Sequence, residues 1–390
     1  MTSRRIVVIS DFQDGQPDNT PLPTVEEARM AWLSGQRDGR PENLENRDDV
    51  AVDGGYIERF PLACLKAGLV ESAEIWTHWR GSTPPDTRPG PSRHLKRRVF
   101  RMNGPQAPFA SNDMLGHIAA FGAPHILCVW GLGVSEEILL ACRDSFKIYN
   151  SIDAPALRIP PDVSRHFDLI LTGAQWQSDV VQERHPGMPT AILPIGPEFA
   201  SDTTFYPLDI PKTYDIIYVA AAQGYKRHDI LFDAMAKLPS SLRALCVCGY
   251  GELTDVFRQQ VAERGLSVDF IEPPGVPFEE VNRLMNTARL GVVCGVDDGA
   301  PAILTEYMLA GLPVLANSAL SCGRQFITPE TGRTASAEDF HLAIADMLEI
   351  RPSFDPRAVV LANWTWPHSI RRLKTLMSET YKKRASSAGT

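Results

Sequence analysis

Asp298 and Glu306 stand eight positions apart across a predicted strand-to-helix junction. Upstream, Leu290–Cys294 reads as a short buried strand. Downstream, Pro301–Ala310 reads as a helix, with Pro301 in its first turn and Gly311 just past its end. Pro313–Ala316 then reads as a second buried strand. This strand–loop–helix–strand unit belongs to a parallel sheet, and its loop falls at the carboxyl ends of the strands, where open α/β sheets bind ligands. Free backbone N–H groups at the helix start suit an anion. Carboxylates accept hydrogen bonds from hydroxyls, and Glu306 suits a cis-diol. A ligand with both phosphate and polyol, such as a nucleotide sugar, meets these demands.

The neighbours extend the set. Gly299 and Ala300 carry little side chain, so their backbone N–H groups can approach a phosphate closely. Ile303, Leu304, Met308 and Leu309 make the helix look buried. Lys226 and Arg227 can neutralise a diphosphate as charge grows on it during bond breaking. Plainer readings exist for each residue. Asp298, like Asp297, suits a helix N-cap; Glu306 a surface ion pair; Lys226 and Arg227 solvated cations; Gly299 a tight turn. Gly54 and Gly55, after Asp53, mark either a close backbone approach to a ligand or an ordinary turn. His78, His94, His117 and His125 are candidate bases, but no motif surrounds any of them and a structural role is simpler.

The elements that position these residues follow from length and pattern. A chain of 390 residues suggests two domains. A formal charge of −8 argues against a general nucleic-acid binder. Seven cysteines without metal spacing read as core thiols, Cys246 and Cys248 among them, in a reducing cytoplasm. No secretory leader follows Met1, and no run approaches a membrane span. Arg5–Ser10 reads as a first strand buried on both faces. Residues 12–52 read as a polar insertion over the sheet edge, with a helix near Thr24–Leu33; Trp32 and nearby acids are candidates for an acceptor pocket. Tyr56–Ala67 has helical spacing, and Ala73–Thr77, Ile126–Trp130, Phe146–Tyr149 and Leu169–Leu171 read as strands. Leu193–Pro207 reads as a linker, after which strands and helices alternate again from Tyr214. The alternation predicts doubly wound parallel sheets. Cationic runs at Lys96–Arg98, Arg371–Lys374 and Lys382–Arg384 read as charged helix faces, with anionic lipid or an anionic acceptor as the other candidate.

The second half resembles retaining glycosyltransferases of the GT-B fold that carry an E-x7-E signature (glycosyltransferase family 4-like). Leu193–Pro197 with Phe205–Pro207 is similar to the family's linker. Tyr218–Asp229 is similar to its phosphate-binding lysine loop, Cys248–Gly251, with Gly249 and Gly251, to its glycine turn, and Asp298–Ala316 to the signature. The chain departs in four places. Asp298 replaces the first Glu. Ala221 stands where an arginine is common, with Arg227 as a substitute. Gly295 replaces a serine. Tyr149–Asp153 contains no histidine.

The resemblance implies two Rossmann-like domains facing a cleft: residues 1–198 for the acceptor, 199–365 for the nucleotide sugar, and 366–390 as a helix crossing back to the first domain. Trp364, Trp366, Ile370, Leu373 and Leu376 are spaced to anchor that helix. It implies transfer of a sugar from a nucleoside diphosphate donor to an acceptor hydroxyl, with retention and without a metal or cofactor. Lys226, Arg227 and Asp298 would serve catalysis. Gly54, Gly55, Gly249, Gly251, Gly299, Ala300, Pro301, Ile303, Leu304 and Glu306 would bind the donor. The acceptor would be a glycan, a lipid or a small natural product, with the protein cytoplasmic or peripheral at the inner membrane face. The alternatives are an epimerase or phosphorylase on the same fold, or a silent nucleotide-sugar-binding or scaffold protein. A dinucleotide oxidoreductase is disfavoured, since Ser10–Gly15 holds one glycine.

Overall fold

A computed structural model describes residues 4–35, 37–40, 47–90, 92–350 and 353–387. The chain forms two compact units, Met1–Ile195 with Trp366–Thr390, and Gly196–Thr365.

In the first unit the elements run β1 (Arg5–Asp14), α1 (Val25–Leu33), α2 (Tyr56–Lys66), β2 (Ser72–Trp79), β3 (Leu95–Arg101), α3 (Asn112–Phe121), β4 (Ile126–Trp130), α4 (Glu136–Ala141), β5 (Phe146–Asn150), α5 (Pro161–Ser164), β6 (Leu169–Thr172), α6 (Gln175–Arg184) and β7 (Thr190–Ile192). The strands form one parallel sheet in the order β3-β2-β1-β4-β5-β6-β7. Ile6, Val7, Val8 and Ile9 are fully buried, as a central parallel strand covered on both faces requires. The terminal helix, Trp366–Ser387, joins this unit: Arg372 donates to the Ile192 carbonyl at 3.0 Å, the Tyr381 ring lies 5.2 Å from Phe146, and Ile370 and Leu373 are buried. Trp364 instead packs edge-on against Phe326 in the second unit.

Two expectations for this unit need correction. The cationic run at Lys96–Arg98 is no helix face; it lies on β3, an edge strand, and Arg98 is fully buried. Its guanidinium grips Glu74 on β2 with two hydrogen bonds, of 2.8 and 3.1 Å. Arg5 approaches the same carboxylate at 3.9 Å, and Trp76 donates to it at 2.8 Å. Residues 12–52 are also more than a cover. Thr24 caps α1 in a reciprocal capping box with Glu27. The helix drives Trp32 into the core against Phe100 and His117, where its indole N–H donates to Asp113 at 2.8 Å. Part of that segment, residues 36 and 41–46, falls outside the described residues.

The second unit runs β8 (Ile216–Val219), α7 (His228–Lys237), β9 (Ala244–Val247), α8 (Thr254–Arg264), β10 (Val268–Ile271), α9 (Phe278–Asn286), β11 (Leu290–Val293), α10 (Ile303–Leu309), β12 (Val314–Asn317), β13 (Gly332–Ala335), α11 (Phe340–Ile350) and α12 (Pro356–Asn363). Its parallel sheet has the order β10-β9-β8-β11-β12-β13. One apolar layer centres on Leu231, Cys246 and Ile344, the other on Met285, Tyr307 and Leu309. Both sheets reverse their order beside the first strand, which is where a ligand crevice opens. Among the described residues no helix is long and apolar enough to cross a membrane.

Two predictions follow from the buried charges of the first unit. Burial alone would raise the Glu74 carboxyl, but Arg98 and Arg5 outweigh it and hold the group at about 2. Glu74→Gln strands two buried guanidiniums and is expected to cost about 3–5 kcal/mol in chemical denaturation; a loss under 1 kcal/mol would refute the pairing argument. Burial also lowers His78 to about 4 and His117 to about 3. An unfolded histidine takes up its proton near pH 6.5, before the folded one does. The stability tied to each imidazole is therefore complete above pH 6.5 and drains away toward pH 4, at about 1.4 kcal/mol per pH unit per histidine. The melting temperature should fall accordingly across that window, where a flat profile would contradict the assignment.

Candidate functional site

The loop after β8 begins the site. Tyr218, buried on β8, donates its hydroxyl to the Lys226 carbonyl at 2.6 Å. This ties the single 3-10 turn Gly224–Lys226 to the strand. Arg227 follows at φ 52°, ψ 49°, the one described non-glycine residue with positive φ, and α7 begins directly after it. A left-handed non-glycine residue costs about 1–2 kcal/mol and needs surrounding structure to hold it.

The loop after β11 meets this turn. Val296 N–H donates to the Tyr225 carbonyl at 3.4 Å. A Cβ on Gly295 would lie 3.3 Å from that same carbonyl oxygen, a close approach of the two loops. The Lys226 ammonium forms an ion pair with the Asp298 carboxylate, joining residues 72 positions apart. The two side chains are only 16% and 12% exposed. The Lys226 nitrogen also lies 4.8 Å from the centre of the Tyr225 ring. Burial opposes the ammonium charge, but Asp298 and Tyr225 overcome it and raise the Lys226 pKa.

The helix carrying Glu306 is shorter than the sequence suggests. It starts at Ile303, with Ala302 at its N-cap, so Pro301 belongs to the preceding loop. Tyr307 fastens it to the sheet. The Tyr307 hydroxyl accepts from Val219 N–H at 2.6 Å and lies 3.3 Å from the Ile217 carbonyl. Gly291 on β11 leaves room for the ring, since a Cβ there would lie 2.6 Å from it. Thr305 donates to the Pro197 carbonyl at 3.0 Å. Pro301 and Leu304 are buried under Gly323, whose absent side chain clears both. Glu306 itself is 8% exposed, Gly299 is buried, and Ala300 and Ile303 are partly covered.

Gly249 and Gly251 occupy the turn after β9. Gly251 has φ 122°, and a Cβ on it would lie 2.4 Å from the Ala222 carbonyl oxygen. Ala222 N–H donates to the Tyr250 carbonyl at 2.8 Å, so this turn braces the lysine loop. Gly249 packs against Gly275 of the loop after β10.

Lys226, Asp298, Gly249 and Gly251 thus sit on loops at one edge of one sheet. Arg227 has a partner of its own: its guanidinium is engaged by Asp229 at 2.7 Å. Gly54 and Gly55 belong to the first unit, where Gly54 takes φ 86° and Gly55 N–H donates to Glu58 at 3.0 Å at the start of α2. The bracing roles of Tyr218 and Tyr307, and Ser321 and Gly323 altogether, escaped sequence reading. Ser321 donates its hydroxyl to the Val296 carbonyl at 2.5 Å. Only the adjacency of Tyr307 to Glu306 hinted at any of them. No group of three or more potential metal ligands occurs among the described residues.

Residues 202–357 match the family described as glycosyl transferases group 1. No curated protein sequence matches the chain. Solved structures similar along nearly its whole length include a sucrose-phosphate synthase from Thermosynechococcus elongatus, with 16% identity, TM-score 0.67, and coverage of 97% of this chain and 100% of that one. HepE from Anabaena, solved with UDP and glucose, has 12% identity, TM-score 0.63, and coverage of 96% and 100%. The lipopolysaccharide outer core galactosyltransferase WaaB has 14% identity, TM-score 0.58, and coverage of 96% and 99%. At such identities the structural likeness speaks for the fold, two parallel α/β sheets of the GT-B type. With residues 202–357 matched to glycosyl transferases group 1 and the GT-B fold shared end to end, the protein is a nucleotide-sugar-dependent, retaining glycosyltransferase whose second unit carries that family's domain.

Proposed function

We propose that the second unit binds a nucleoside diphosphate sugar, with UDP as the nucleotide, and passes its sugar to an acceptor hydroxyl bound by the first unit. The observation that carries this reading is the convergence of Lys226 and Asp298 on the loops after adjacent strands β8 and β11, with Glu306 buried on the helix that follows Asp298. HepE was solved with UDP and glucose, and a pneumococcal O-GlcNAc transferase of similar fold with UDP and GlcNAc, which supports UDP here.

The chemistry follows from charge. When the glycosidic bond breaks, the diphosphate gains negative charge, and the Lys226 ammonium stands ready at its position. Before the donor arrives, Asp298 neutralises that ammonium, so neither member of the pair is left as an uncompensated buried charge. On donor binding the phosphate replaces Asp298 as the partner of Lys226. The freed carboxylate then accepts from hydroxyls of the transferred sugar. Glu306 accepts from the ribose diol, and the backbone at Gly299 and Ala300 approaches the phosphate. Arg227, held by Asp229, contributes little to the diphosphate. Seven free, buried cysteines suit a reducing cytoplasm.

Two measurements test this reading. Glu306→Ala should weaken UDP binding about tenfold in calorimetry, equivalent to about 1.4 kcal/mol; unchanged affinity removes the ribose role. Lys226→Ala should lower kcat/KM by about 10²–10³, the scale of losing one charge-stabilising group in a transition state. A loss confined to KM would assign Lys226 to uniform binding instead.

A further inference from the structure

A groove of about 630 Å³ opens in the first unit at the amino ends of β6 and β7. These are the ends opposite the carboxyl edge where open α/β sheets bind ligands. Three segments build the groove: residues 165–168, which lead into β6; residues 184–189, which lead into β7; and the terminal helix at Thr380 and Lys383. Its volume suits a small molecule.

Its charge is mostly positive. Arg165, Arg184 and Lys383 bring one cation from each segment. The one carboxylate among the lining residues, Asp168, is already committed: it accepts from Lys147 N–H at 2.8 Å, with the Lys147 ammonium 3.8 Å away. Arg165 gives one nitrogen to Glu136 at 3.0 Å, and Arg184 gives one to the Ile159 carbonyl at 2.8 Å. A guanidinium has five N–H donors in a planar fork, so each keeps donors for a further partner. Phe167, buried, and Met188, half-buried, supply an apolar lining. Among the described residues, none of the large apolar side chains that stay exposed lines the groove, so it lacks the groups that would insert into a bilayer.

We infer that this groove binds a small, soluble phosphate monoester with a flat apolar body, at a site that shares no residue with the donor-binding loops. Guanidinium forks bond phosphate oxygens in pairs, and the ammonium adds a point charge. A monoester carries close to two negative charges at neutral pH, which matches three cations better than a singly charged diester or carboxylate does. The apolar body lies against Phe167 and Met188. Lys383 belongs to the terminal helix, whereas Arg165 and Arg184 precede β6 and β7. The bound phosphate therefore ties that helix to the amino edge of the sheet.

Calorimetry on the full chain in saturating UDP tests the site. Phenyl phosphate is the probe, inorganic phosphate and phenol are its two halves, and phosphatidylglycerol vesicles are the lipid comparison. Phenyl phosphate should bind about tenfold more tightly than inorganic phosphate, because its ring covers apolar lining, and phenol should give no saturable heat. Arg165 and Lys383 have exposed side chains, so replacing them spares the fold. Arg165→Ala and Lys383→Ala should each weaken phenyl phosphate about fivefold, the scale of one charged hydrogen bond, with UDP affinity and melting temperature unchanged. Amide exchange along the terminal helix should slow with phenyl phosphate and not with phenol. No saturable binding of phenyl phosphate, wild-type affinity in both variants, or phenol binding as tight as the ester would overturn the assignment. Vesicle binding that both variants abolish, without binding of the soluble ester, would overturn it in favour of a lipid surface.

Discussion

A lysine and an aspartate withdrawn from water must have each other or another charge. That constraint governs the edge of the second sheet. The Lys226–Asp298 pair is mostly buried, so removing either partner would leave a charge that the surroundings do not solvate. Under the donor-binding role proposed above, a diphosphate would bring negative charge to Lys226 and its sugar would bring hydroxyls to Asp298, so the resting ion pair and the loaded site would be two solutions of the same electrostatic problem.

Close backbone approaches hold that pair in place. Tyr218 anchors the carbonyl of Lys226, Gly295 lets the loop after β11 touch Tyr225, and Gly251 lets the turn after β9 brace Ala222. Tyr307 pins the Glu306 helix through the backbone N–H of Val219, on the same strand that leads into the lysine loop. Each contact depends either on a missing Cβ or on a buried hydroxyl with a fixed partner. The charged residues are therefore positioned by neighbours with no charge of their own.

The first unit meets buried charge in another way. Arg98, Arg5 and Glu74 are held together across three adjacent strands, with Trp76 closing the carboxylate. A cationic run on an edge strand looks like a solvated face until its partners are known. Asp11 contrasts with Glu74: its close partner is a backbone N–H, and its environment favours the neutral form. One carboxylate is locked in its charged form by guanidiniums, while burial pushes the other toward protonation.

Much of the second unit was legible in the amino-acid order, because its strands are short apolar runs bounded by turn residues. Leu290–Val293 and Val314–Asn317 form strands within a residue of the limits their patterns indicate. The eight-residue spacing of Asp298 and Glu306, and a lysine just before a helix, are local features that survive in a linear reading. Edge strand β3 was not legible, since its run of three consecutive cations mimics a solvated surface and Glu74 lies 24 positions away. Nor was the diversion of Arg227 to Asp229, which depends on a left-handed backbone. The order of residues determined which groups exist and which elements carry them, because hydrophobic period and turn chemistry act over a few positions. Only the tertiary structure decided which charges meet, because Lys226 and Asp298 are neighbours solely through the pairing of β8 with β11.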